Sequence, residues 1–461
     1  MNKIYLNIVR VLLLLLIFSS CQKEPDIIST ESLPKTEQFN NSVALAWMQF
    51  YLDIERYTPG YRPPVSARTI AYISLAAYES VVPGMSDSYN SMKSTFPVIN
   101  LPEVQQGVVY HWPTALHAAY SSIFTAFFPT APAEQQQRLF ALKQKFNIEF
   151  GQTIPADVYE RSSSFGTAVA IAVYNWSKTD AIGHEAYLHN NDASYQPPAF
   201  EGSWQPTYPD YSQALLPHWG QVRTFVANAD DAVPSPLPFS TDPGSQIYVQ
   251  AKEVFNLVNL IKNGNNHEDR WIADFWSDDC PILTFTPAGR WIAVTNQVIE
   301  SGKVPLDRTV YVYAKLGMAL SDAGVRCWNE KYKYNYLRPV DYIQKSMGHP
   351  EWNTVMCPDG SGNYFTPPFP AYPSGHATFG AAAAEVLTDV FGFSYPMTDR
   401  CHEGRTEFLS TPRTFQRFYD MAEENAYSRV PLGVHFRMDA EAGLDLGYRI
   451  GRKVNQLAWQ K

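Results

Sequence analysis

The sequence predicts an all-α protein, a large helical bundle assembly. Three observations carry the helical class. Apolar residues recur at three- and four-residue intervals through most of the chain. No alternating pattern is long enough to build a sheet. Charge interrupts every long apolar segment beyond the N-terminal one, as in "VYVYAKLGMALSDAGVRCW", so no later segment reads as a membrane span. A chain of 461 residues, 45% hydrophobic, has the material for a large core.

The N-terminal 21 residues, "MNKIYLNIVRVLLLLLIFSSC", place Lys3 and Arg10 before an apolar run from Val11 to Phe18, then Ser19-Ser20-Cys21. The run is too short to span a bilayer and reads as an export signal. Small residues before a cysteine resemble a bacterial lipobox, which would make Cys21 the lipidated N-terminus. The plainer alternative is a secretory signal with an incidental cysteine. Polar residues 22–41 read as a flexible tether to a single helical domain over 42–461, with its active-site core in about 300–461. The expected location is the periplasm, outer membrane or cell surface of a bacterium, with membrane contact only through lipid. A net charge of −9 and no Lys/Arg-rich run exclude a nucleic-acid partner.

Helical periodicity marks "NSVALAWMQFYLDIERYT", "ARTIAYISLAAYESVV", "TALHAAYSSIFTAFF", "AEQQQRLFALKQKFNIEF" and "ERSSSFGTAVAIAVYNWSK". Residues 181–244, rich in Pro, Tyr, Asn and Asp, read as irregular loops. Helices return with "QIYVQAKEVFNLVNLIKN" and "EDRWIADFWSD", then over about 307–334, about 377–390, and from about 439 onward. Beyond Cys21 there are four cysteines, Cys280, Cys327, Cys357 and Cys401, with no metal-type spacing. They allow up to two disulfides in three pairings, or none.

Three clusters carry chemistry. In "KYKYNYLRP", Lys331 and Arg338 are seven apart, so a helix would put both cations on one face, while Pro339 sets Arg338 at or near a helix end. A solvated basic face is the bland reading of that stretch alone. In "PPFPAYPSGHATFGAAAAEVL", Ser374 suits an N-cap and Gly375 admits a ligand close to the backbone. The alanine-rich helix behind them points its N-terminus at the turn, where anions bind, and His376 adds a titratable group. A capped helix with a surface histidine is the alternative. In "SRVPLGVHFRMD", Pro431 and Gly433 shape the turn between Arg429 and His435. If that segment is helical, Asp439, four residues after His435, can reach the imidazole and fix its tautomer. A buried His–Asp pair is the common alternative. Three cations, a hydroxyl, a helix N-terminus and two histidines together suit a tetrahedral oxyanion.

Lys331-x6-Arg338-Pro339, Pro373-Ser374-Gly375-His376 and Ser428-Arg429-x3-Gly433-x-His435-x3-Asp439 resemble, in order, the three-part signature of the vanadium haloperoxidase and type 2 phosphatidic acid phosphatase superfamily. The proline-rich "PPFPAYPSGHATFG" is similar to the chloroperoxidase-like branch. The resemblance implies a two-bundle helical fold, bound vanadate as cofactor, and hydrogen peroxide and halide as substrates of an oxidoreductase. His435 would bond vanadium, Lys331, Arg338, Arg429, Ser374 and Gly375 would hold the oxygens, and His376 would be the acid–base group. Asp439 would orient His435. Trp328 and Phe369 match aromatics on the halide side, core packing being the plain alternative. Asp278 or Asp279 would stand close behind the site. The same residues would serve a phosphatase, with His435 attacking a phosphate ester and His376 protonating the leaving alcohol. A non-catalytic glycan-binding lipoprotein is the third reading, and it gives the three clusters no purpose.

Overall fold

The structure, a computed structural model, describes residues 34–85, 87–358 and 364–461. The expected signal peptide, Cys21 and most of the expected tether lie outside these residues. The described part is helical as expected. α1 (Ser42–Tyr57), α2 (Pro63–Glu79), α3 (Trp112–Phe127), α4 (Ala133–Thr153) and α5 (Ala156–Lys178) form the N-terminal half. After an irregular stretch come α6 (Gln246–Lys262), α7 (His267–Phe275), α8 (Pro287–Ser301), α9 (Leu306–Tyr334), α10 (Pro339–Lys345), α11 (Gly375–Phe391), α12 (Phe418–Ser428) and α13 (Arg437–Asn455). Two three-residue strands, β1 (Met397–Asp399) and β2 (Arg413–Phe415), pair antiparallel between α11 and α12. No helix among the described residues is long and apolar enough to cross a membrane.

Residues 34–41, expected as the end of a flexible tether, are packed onto the body instead. Thr36 is buried and donates its hydroxyl to the Val81 carbonyl at 3.1 Å. The Trp112 indole donates to the Pro34 carbonyl, and the Leu306 amide to that of Phe39. Buried polar backbone finds its partners in the helices it crosses.

Two interlocked pairs position the site. α2 is buried on every side, and α9 keeps most of its 29 residues buried against it. Pro63 and Pro64 open α2 at the first two helical positions, where a missing N–H costs nothing. In the second pair, α13 presents Gly443, Gly447 and Gly451 to the alanine-rich face of α11. A side chain at Gly447 would begin 2.3 Å from the Thr378 carbonyl oxygen. The two backbones therefore touch, which fixes α11's N-terminus against the start of α13.

Candidate active site

α9 stops at Asn335, whose left-handed backbone (φ 45°) turns the chain out of the helix. Asn335 is held by its side-chain amide, which donates to the Pro198 and Trp204 carbonyls. Arg338 then sits in extended backbone as the residue before α10, with Pro339 at that helix's first position. Lys331 and Arg338 thus do not share a helical face. They converge because the chain breaks between them, and both are buried.

The proline-rich stretch faces them with carbonyls. Lys331 Nζ donates to the carbonyl oxygens of Pro370, Ala371 and Pro373 at 2.9, 2.8 and 2.5 Å. Arg338 Nε donates to the Phe369 carbonyl at 2.8 Å. Ser374 caps α11, its Oγ accepting from the Ala377 amide at 3.4 Å. The cap uses an oxygen lone pair, so the hydroxyl proton stays free to donate. Gly375 lies against Trp328, where a side chain would meet the indole at 3.4 Å.

His435 lies just before α13, in the turn made possible by Gly433 (φ 92°). Its partner Asp439 occupies the third position of that helix, so the pair is not a helical neighbour contact. Asp439 Oδ2 accepts from the Phe436 amide at 3.0 Å and from His435 Nδ1 at 2.9 Å. A carboxylate on Nδ1 leaves Nε2 with its lone pair exposed. That lone pair faces Arg338 Nη1 at 3.2 Å. The Asp439 carbonyl in turn accepts from the Ser374 amide at 2.8 Å, tying two clusters together.

Arg429 completes the group. Its Nη1 donates to the Trp276 carbonyl at 3.1 Å, and its Nη2 lies 3.7 Å from Met356 Sδ. Neither arginine makes an ion pair among the described residues at salt-bridge distance. Arg338 Nη2 and Arg429 Nε are buried N–H donors with no hydrogen-bond partner among the described residues. A buried guanidinium with an empty donor is costly, and an oxyanion is the ligand that fills such donors. The residues therefore fit vanadate or phosphate, and Lys331 fits as a cation held in place by carbonyls that already use its donors.

Burial governs the electrostatics. It pushes Arg338 down to about 9, with Arg429 adding repulsion, and Arg429 down to about 10. Lys331 is also pushed below the usual ammonium range by burial, and Asp439 above the usual carboxylate range. Burial, followed by the nearby cations, holds both His376 and His435 well below the ordinary imidazole value. An entering dianion reverses these shifts in the cations, so its binding takes up protons wherever the free site had lost one. Affinity should then fall as pH rises above neutrality and the Lys331 ammonium loses its proton, the arginines staying charged. Calorimetric titration with inorganic phosphate at pH 8, in buffers of different ionisation enthalpy, should show net proton uptake; proton release would contradict this electrostatic account.

Trp328 and Phe369 are buried, with ring centroids 4.9 Å apart. Phe369 has Lys331 Nζ at 5.1 Å and the Arg338 guanidinium at 4.8 Å from its ring centre. They are core residues and also a wall of the cationic group. His376, in the first turn of α11, places Nε2 2.5 Å from the Asp278 carbonyl oxygen.

Other neighbours had no clear signal in the sequence. Arg62, just before α2, reaches Asp279 at 3.4 Å across the molecule. Arg290 and His402 bind the two carboxylate oxygens of Asp278. Cys280 and Cys357, whose pairing spacing alone left open, form a disulfide, while Cys327 and Cys401 are free. The aspartate pair was the one local hint, since adjacent acids before a cysteine in an apolar stretch need partners.

Residues 311–461 match the family model described as the VCPO second helical-bundle domain. The vanadium chloroperoxidase of Curvularia inaequalis is 29% identical over 512 aligned positions, covering 91% of this chain and 82% of that protein. Among solved structures, that of the first bacterial vanadium-dependent iodoperoxidase superposes with a TM-score of 0.77 at 28% identity, covering 91% of this chain and 97% of that one. A holo-type bacterial vanadium-dependent chloroperoxidase shares the fold, with a TM-score of 0.64 at 14% identity over 87% and 93% of the two chains. The chain is a homologue of vanadium chloroperoxidase and has the vanadium haloperoxidase fold.

Proposed function

We propose that the chain is a vanadate-dependent haloperoxidase that oxidises a halide with hydrogen peroxide to hypohalous acid. The observation that carries the reading is the likeness to vanadium chloroperoxidase over 91% of the chain, and the two buried guanidinium donors without partners among the described residues give an oxyanion its place. His435 Nε2 would bond the vanadium, with Asp439 holding the proton on Nδ1. Arg338 and Arg429 would donate to the oxygens, the Ser374 hydroxyl and Gly375 N–H would add donors, and Lys331 would hold its charge alongside. Vanadate, when bound, supplies Lewis-acid activation of peroxide without changing its oxidation state.

The chain's residues then have separate tasks. Halide, peroxide and one proton give hypohalous acid and water, so the site must deliver a proton. His376 is the group for that transfer, since its Nε2 is occupied by a carbonyl and its Nδ1 is left for exchange. Trp328 and Phe369 exclude water from one side and offer a polarisable wall to a halide. Purified residues 22–461 should oxidise bromide or chloride with peroxide only when orthovanadate is present. Release of phosphate from a monoester, without halide oxidation, would overturn the reading in favour of a phosphatase.

We further infer that the protein is exported and anchored through lipid on Cys21, supported by the basic, apolar and small-residue segments before it. Labelled palmitate should enter the full chain expressed in a bacterium and be lost in Cys21→Ser; equal labelling of both would contradict the anchor.

A further inference from the structure

We propose that Asp278, clamped by His402 and Arg290, is a positioning residue that sets the tautomer of His376 through its backbone carbonyl. The inference rests on His376 as the proton-transfer group named above, and it concerns residues with no role so far.

A carbonyl oxygen can only accept. With Asp278 O at 2.5 Å, His376 Nε2 must carry the proton, and Nδ1 of the neutral ring keeps its lone pair. The ring can work as a proton carrier at Nδ1 only while that carbonyl stays in place. The same peptide unit is tethered on its other side, where the Asp279 amide donates to Thr284 Oγ1 at 3.2 Å, but no helix or strand fixes it. Residues 276–286 lie between α7 and α8 without regular structure, and Asp279 has a φ of 129°, a conformation disfavoured for a residue with a side chain.

The side chain of Asp278 supplies a second, buried anchor. One carboxylate oxygen accepts from Arg290 Nη1 at 3.2 Å and the other faces His402 Nε2 at 2.9 Å. All three side chains are almost wholly buried. Arg290 is fixed in turn. It donates to the Phe275 carbonyl at 2.9 Å and to Asp399 Oδ2 at 2.7 Å, and its guanidinium packs on the rings of Phe275 and Trp276. Asp399 belongs to β1 and also accepts from Gln297 and the Cys401 amide. His402 stacks on Phe285, with centroids 4.9 Å apart, and meets the edge of Phe408. The small hairpin thus reaches the site through His402 and Asp399, which explains why the segment between α11 and α12 carries buried charge. The general pattern is an outer partner that orients an acid–base or ligand histidine.

The test uses the full chain with nitrogen-15 in its histidine rings. His376 signals are identified by their loss in His376→Asn. In the parent protein they should show Nε2 protonated and Nδ1 bare. In His402→Leu they should shift to a mixture of the two tautomers. Halide oxidation by the vanadate-loaded protein should lose about 10- to 100-fold in kcat with halide KM within about twofold. His402→Gln, whose amide can still donate to Asp278, should recover most of both. Phosphate affinity of the vanadate-free variants should stay within about threefold, because the arginines are untouched. Should His402→Leu lose its cooperative melting transition, the near-isosteric Asp278→Asn carries the same spectrum and the same expectation. An unchanged Nε2–H tautomer in a folded variant would overturn the proposal, as would a loss of phosphate affinity equal to the loss of kcat. Failure of halide oxidation in the parent protein would sink the function but not the tautomer assignment, since the spectrum needs neither vanadate nor halide.

Discussion

Replacing His435 with alanine is expected to abolish halide oxidation, with a loss of about 10³-fold or more, the scale on which removal of a bonded nucleophile or ligand acts. The substitution removes the imidazole lone pair at Nε2 that faces Arg338. It leaves Arg338 and Arg429 in place, so phosphate should still bind, more weakly. The fold should survive, because Asp439 keeps the Phe436 amide as a partner and α13 keeps its start. Asp439→Asn should be milder, about 10- to 100-fold, since it disturbs only the tautomer and orientation of the ring. Steady-state halide oxidation, phosphate titration and a thermal melt on each variant separate these effects. Near-parental activity in His435→Ala would mean that the wrong atom has been assigned.

The second large effect is on stability. The Cys280–Cys357 disulfide closes a loop of 77 residues. The chain-entropy account gives such a closure about 4.5 kcal/mol. For a chain of this length that corresponds to a melting temperature roughly 5 °C lower in the double variant Cys280→Ser/Cys357→Ser. The bond's position adds a functional consequence. Cys280 follows Asp279, whose carboxylate acts electrostatically on Arg429, and Cys357 follows Met356, whose sulfur lies against the same arginine. The disulfide therefore joins two walls around one arginine. The double variant should bind phosphate about 10-fold more weakly, by calorimetry, if that arginine is freed to move. A lower melting temperature with unchanged affinity would confine the bond to a structural role.

Much of this protein was legible where chemistry is local. Ser374, Gly375 and His376 announce a capped helix start, and each stands where that motif puts it. The long helices declared themselves by period, α9 most clearly. Two contacts that spacing pointed to are made, though not along one continuous helix. Lys331 and Arg338 meet through a helix break, and Asp439 reaches His435 from the third position of a new helix. Spacing describes a neighbour contact only while one element continues. α8, α10 and α12 have no place in the periodicity reading, although Thr286 and Pro287 open α8 with an ordinary cap and a first-position proline. Arg62, Arg290 and His402 were illegible for another reason. Arg62 and Asp279 are 217 residues apart, and His402 and Asp278 are 124 apart. No local pattern encodes a partner at that distance. Packing also explains residues 34–41, where a polar stretch is held by carbonyl and indole contacts that composition does not reveal.

The cradle around Lys331 sets how the site tells its cargo from its own walls. A carboxylate there would have cancelled the ammonium and left a neutral, self-satisfied core. Three peptide carbonyls hold the ammonium by their dipoles and cancel none of its charge. The site's field is stored rather than discharged, as in a capacitor with a missing plate, and the arriving anion is that plate. A neutral molecule of the same shape finds nothing to balance. By this logic a Pro370→Glu variant whose carboxylate reached Lys331 would weaken phosphate binding in a calorimetric titration without blocking the site, because one of its three cations would already be balanced.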